Sequence, residues 1–122
     1  MRGLIFDQLT QGLQDVLTLR QKQHALTATN LANATTPGFK AKVIDFEHAL
    51  DQAMDPSRAV GRAMASPRIE EIEPDPWRTD DNSVLPEREN ARLRHNALMY
   101  SAVARGLSSR MGLLKYAASD GK

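Results

Sequence analysis

The chain contains no cysteine, so neither a disulfide framework nor a thiolate site can be built from it. It is poor in aromatic residues, with one Trp, two Tyr and three Phe among 122 residues. Neither sign of charge is in excess. Sixteen basic residues face fifteen acidic ones, for a net charge of +1, whereas nucleic-acid binders usually concentrate basic residues on one face. No stretch approaches the ~20 apolar residues of a membrane span. Residues 1–13 lack the apolar run and small-residue cleavage site of a secretory signal. Leu, Ile, Val and Phe together number 26, close to the ~20% level below which chains struggle to build a core. At most one domain is expected, with a marginal core that burial against partners would complement.

Chemistry-bearing constellations are also missing. His24, His48 and His95 stand apart from any metal-ligand spacing. Glu70-Glu71 and Asp80-Asp81 lie in loop-like sequence and read as solvated charge. Ser108-Ser109 has no nucleophile-elbow context, and no glycine-rich phosphate loop is present. No catalytic, cofactor or metal residue can be nominated. The chain is therefore expected to be no enzyme, with no cofactor, no nucleic acid and no small-molecule substrate. Trp77 sits among prolines and acids and reads equally as an exposed anchor or a local cluster residue.

What is present is a pair of long amphipathic ends. From Leu4 to Ala34, Ile5, Leu9, Leu13, Val16, Leu19, Leu26 and Leu31 recur mainly in steps of three and four, which predicts one helix. Its length, about 45 Å at ~1.5 Å per residue, suggests a coiled-coil or assembled helix. The stripe turns polar towards its end, through Gln23, Asn30 and Asn33. Buried amides are costly unless partnered and can fix register between helices.

A turn over Thr36-Pro37-Gly38 ends the helix. Lys42 to Phe46 reads as a short extended piece, and Asp45 as the cap of a brief helix from Phe46 to Met54. Four prolines, with six acids crowded into its later part from Glu70 to Asp81, mark residues 55–81 as a flexible acidic loop. Residues 82–118 form the last helical segment, its helix running from about Leu85 to Ala117, with Pro86 in the first turn and Glu87 and Glu89 complementing the dipole. The net charge is +2 over 1–40, −5 over 41–81 and +4 over 82–122.

The expected fold is all-α: the two long helices pack as an antiparallel coiled-coil-like hairpin. A short hook (35–54) follows the first helix, and a flexible loop occupies the middle. Expected packing residues are Leu13, Val16 and Leu26 on the first helix, and Leu93, Asn96, Tyr100, Leu107, Met111 and Leu114 on the last. The densest motif is Asn30-Leu31-Ala32-Asn33 followed by Thr36-Pro37-Gly38-Phe39-Lys40. Asn30 and Asn33 share a face, and their amides can lock a helix end to a turn or to a neighbouring subunit.

These two clusters resemble the N-terminal signature of flagellar rod, hook and hook-associated proteins. The flanking Leu19 to His24 and Ala41 to Phe46 are similar to the FlgB, proximal-rod, branch. So is the pattern Asp81-Asn82-Ser83-Val84, Glu87-Arg88-Glu89, Leu93, Asn96, Leu98 and Tyr100. The likeness covers roughly residues 15–50 and 80–118. It departs at Leu85-Pro86, where an acid and a leucine are usual, and at Asn90, where an apolar residue is common.

The resemblance implies a structural subunit of the proximal rod that assembles helically in the basal body, transmits torque and encloses the export channel. It also implies export by the flagellar type III apparatus without a cleaved signal, to the periplasmic rod. Implied partners are further copies of the chain, the FliE-type adaptor, rod proteins such as FlgC, the MS ring and the export gate. The alternative is a helical regulatory or adaptor module binding a single partner.

Overall fold

The computed structural model describes residues 2–54 and 67–119. The chain runs as helix α1 (Arg2–Ala32), strand β1 (Lys42–Ile44), helix α2 (Phe46–Met54), strand β2 (Ile69–Glu71) and helix α3 (Pro86–Ala118). The two long helices pack antiparallel. Asn30 meets Glu89, while Arg20, further back along α1, meets Asn96, further on along α3. The all-α hairpin read from the sequence is the architecture observed.

The middle differs from the expected loop over 55–81. Its residues 55–66 lie outside the described residues, but Ile69–Glu71 is a strand. It pairs antiparallel with β1 in the register Lys42↔Glu71, Val43↔Glu70 and Ile44↔Ile69. Asp45 N–H donating to Arg68 O and Ile72 N–H donating to Ala41 O extend the ladder at either end. Paired backbone groups hold this stretch despite its flanking prolines and acids.

Helix boundaries follow local chemistry. Helix α1 stops at Ala32, two residues short of the expected end. Asn33 there turns its amide back on Thr29 O at 2.8 Å, competing with helix continuation. In α2, Asp45 is the cap: its Oδ1 accepts from His48 N–H at 3.0 Å. Helix α3 starts at Pro86 without a side-chain cap. Proline lacks one of the N–H groups a cap would serve. Residues 82–85 of the expected last segment are not helical; they bridge to the first turn.

The core is small. Leu19, Ile44 and Ala49 form it, with Val16, Leu26 and Phe46 packed around. Ala41 and Val84 are also buried. Gly38 has φ +73°, and the place a Cβ would take has nothing within 4 Å, so an alanine there meets only backbone strain. Gly38→Ala is expected to lower stability by about 1 kcal/mol, read as a lowered urea midpoint with an unchanged slope.

Candidate assembly site

The site is the closed end of the hairpin, where α1, β1 and the start of α3 converge. Lys42 and Ile44 turn backbone groups away from β2, leaving a strand edge to be satisfied. Side chains of α1 satisfy it. Asn30 Oδ1 accepts from Lys42 N–H at 3.0 Å, and its Nδ2 donates to Lys42 O at 2.9 Å. Gln23 Oε1 accepts from Ile44 N–H at 2.9 Å, while its Nε2 donates to Thr27 Oγ1. Gln23, Thr27 and Asn30 are all buried, and their spacing of four and three places them in one row. Two amides thus take the place of a third strand, so the polar stripe of α1 is a strand dock.

Asn30 reaches α3 as well. Its Nδ2 also donates to Glu89 Oε2 at 3.1 Å. Glu89 is fully buried and its other oxygen accepts from Arg92 at 2.8 Å, with Arg88 Nε at 3.7 Å. A buried carboxylate persists only when paired and hydrogen-bonded, and here both conditions hold.

The turn after α1 is locked to residues 80–83. Asn82, fully buried, donates from Nδ2 to Asn33 O at 2.9 Å and Thr36 O at 2.8 Å, and accepts from Val84 N–H at 2.7 Å. Gly38 N–H donates to Asp80 O and Ser83 N–H to Phe39 O. Ser83 Oγ accepts from Ala41 N–H. Arg78 holds Asp80 through two bonds of 3.1 Å and caps Val84 O at 2.8 Å. The Arg78 guanidinium, then the Asn82 N–H, keep the Asp80 carboxyl below its ordinary value. Asp81 takes a left-handed φ of 53° to pass this corner.

Among the residues singled out in the sequence, Asn30 is buried and Leu31, Asn33, Phe39 and Lys40 are half-buried. Ala32, Thr36, Pro37 and Gly38 are exposed. Asn33 keeps its amide within its own helix end, donating to Thr29 O and accepting from Thr36 Oγ1. Lys40 pairs with Glu73 at 2.9 Å, which raises its pKa.

Of the packing residues, Val16 and Leu26 touch the core. Leu13, Leu93, Tyr100, Leu107 and Leu114 are half-buried. Asn96 is buried, donating to Arg20 O at 2.7 Å. Met111 departs from expectation and is half-exposed. The partly buried row steps from Leu107 to Arg110 to Leu114, which leaves Met111 beside it.

Glu89, Asn82, Ser83 and Thr27 join the site although their spacing alone does not mark them as site residues. A signal existed for Glu89. It lies four residues before Leu93 and seven before Asn96, on the inner row itself. Among the described residues, no group of three or more His, Cys, Asp or Glu could hold a metal. No described helix is long and apolar enough to cross a membrane.

No protein-family model matches the chain. Individual relatives do. A protein of Aeromonas hydrophila named flagellar basal body rod protein FlgB is 31% identical, over 93% of this chain and 95% of its own length. A protein of the same name from Escherichia coli strain K12 is 31% identical, over 80% of this chain and 83% of its own. A further one from Proteus mirabilis is 47% identical over 45 residues, 37% of this chain.

Proposed function

Because this chain belongs to the FlgB family of flagellar basal body rod proteins, we propose that it is a proximal-rod subunit. In this reading it assembles helically with copies of itself, transmits torque and encloses the export channel. Its neighbours are a FliE-type adaptor, rod proteins such as FlgC, the MS ring and the export gate. It arrives through the flagellar type III apparatus without a cleaved signal.

The observation that supports this most is the open end of the hairpin. Tied tightly at residues 30–42 and 78–89, the hairpin carries large exposed apolar side chains further along. Leu9 lies on α1, and Leu98, Met111, Leu113 and Tyr116 on α3. Leu98 and Tyr116 are 18 residues apart, five full turns, so they share a face away from the inner row. A lone helix pair has no use for apolar residues on two faces; a helix with neighbours on both sides does. The small core and the cysteine-free sequence also suit a chain that travels unfolded and gains burial on assembly.

Removal of the gene from its own flagellated host tests this. Motility is expected to be lost, with basal bodies lacking rod and hook, and to return with the intact gene. Normal rods in the deletion strain would contradict the proposal.

A further inference from the structure

On the side of the hairpin where α2 begins, a cleft of about 450 Å³ opens between α1, β1 and α3. Val43, Phe46 and Ala91 give it an apolar floor, while Arg20, Arg88, Arg92 and His95 also line it. Arg92 and Arg88 both face Glu89, and Arg88 also donates to Ser83 O at 2.7 Å. Arg20 is not committed to any carboxylate among the described residues. Its guanidinium lies 4.0 Å above the Phe46 ring and, among the described residues, bonds to the Asn96 amide oxygen alone, at 3.5 Å. Burial pulls its pKa below the ordinary value. Among the described residues, the Nε proton of Arg20 has no hydrogen-bond acceptor. An apolar cleft holding a desolvated, unneutralised arginine is half of an interface.

The complementary half is on the same chain. Helix α2 exposes Glu47, Leu50 and Asp51, which its periodicity places on one face. Neither carboxylate makes an ion pair or hydrogen bond among the described residues. Several other acids are already engaged. Glu73, Asp80 and Glu89 are engaged by Lys40, Arg78 and Arg92, and Glu71 lies close enough to Lys40 to raise its pKa. The α2 face sets an exposed leucine beside two free carboxylates. That matches a cleft with an apolar floor and a cationic rim.

We propose that this cleft receives the Glu47–Leu50–Asp51 face of α2 from a second copy of the chain. The proposal rests on the rod reading above, because it makes the contact a subunit interface of that assembly. Two different patches meeting head to tail extend an assembly instead of closing a pair, unless the rotation closes a ring.

The absence of cysteine makes the test clean. Leu50→Cys and Ala91→Cys, both at exposed positions, are made in separate copies and co-expressed in a strain without its own copy. Isolated basal bodies are treated with a short bis-maleimide. A cross-linked dimer joining the two variants is expected, and neither variant alone should give it. Adding Glu47→Lys and Asp51→Lys to the Leu50→Cys copy should cut its yield at least about tenfold, since like charges at an interface are strongly disfavoured. These substitutions touch no hydrogen bond among the described residues. Incorporation of both variants without the cross-link, or a yield indifferent to the lysines, overturns the cleft and leaves the rod reading intact. Absence of the unsubstituted chain from basal bodies overturns the rod reading and the cleft with it.

Discussion

Asn30→Leu is expected to lower the stability of the isolated chain by about 3–5 kcal/mol. Three bonds go at once: both to the Lys42 backbone and the one to Glu89. Leucine then sits over an orphaned N–H, an orphaned carbonyl and a buried carboxylate. Each unsatisfied buried group costs about 1–3 kcal/mol, partly offset because Arg92 still holds Glu89. Leucine's better helix propensity returns only a few tenths. Asn33→Leu is the internal control. Its side-chain bonds stay within its own helix end and the residue is only half-buried, so about 1 kcal/mol is expected. Urea midpoints measure both. Equal losses would show that Asn30 is an ordinary helix-end residue.

Asn82→Ala follows, at about 2–4 kcal/mol. The amide ties two carbonyls of the turn after α1 to the segment that opens α3. Removing it leaves Asn33 O to the Thr36 N–H and Thr36 O to a long bond from the Phe39 N–H, and takes the amide acceptor from the Val84 N–H. Asn82→Asp separates the two roles. It keeps the acceptor for Val84 but presents a carboxylate to two carbonyl oxygens, so it should be nearly as damaging. Amide exchange at Gly38 and Ser83 should speed up in both variants before the rest of α1 responds, because those N–H groups close the same corner. Unchanged protection at both amides would show that the corner is held without Asn82.

Much of this fold is legible along the chain, because the long helices are periodic and their ends carry turn chemistry. The polar turn of the α1 stripe, through Gln23, Asn30 and Asn33, is visible as spacing. The sequence leaves open whether those amides face a turn or another subunit. The structure places Asn30 and Gln23 against β1. Strand β2 is hidden because its stability is entirely non-local. Ile69-Glu70-Glu71 has three exposed residues and becomes a strand only because β1 lies beside it.

Glu89 is hidden by its chemistry. A carboxylate in the first turn of a helix normally complements the dipole from solvent, and Glu87 next to it is indeed exposed. Only the row shared with Leu93, Asn96 and Tyr100 tells the two apart. Asn82 has no helical row to betray it. Its role depends on a contact 46 to 49 residues away.

Cryo-electron microscopy of basal bodies carrying this chain, unmodified, tests the central claim most directly. Helically arranged copies of the antiparallel α1–α3 hairpin are expected in the rod next to the MS ring. Their Asn30–Lys42–Glu89 corner should be closed and their exposed α3 apolar residues buried against neighbouring subunits. Rods complete without this chain, with the protein recovered as one fixed-stoichiometry complex with a single partner, would contradict it.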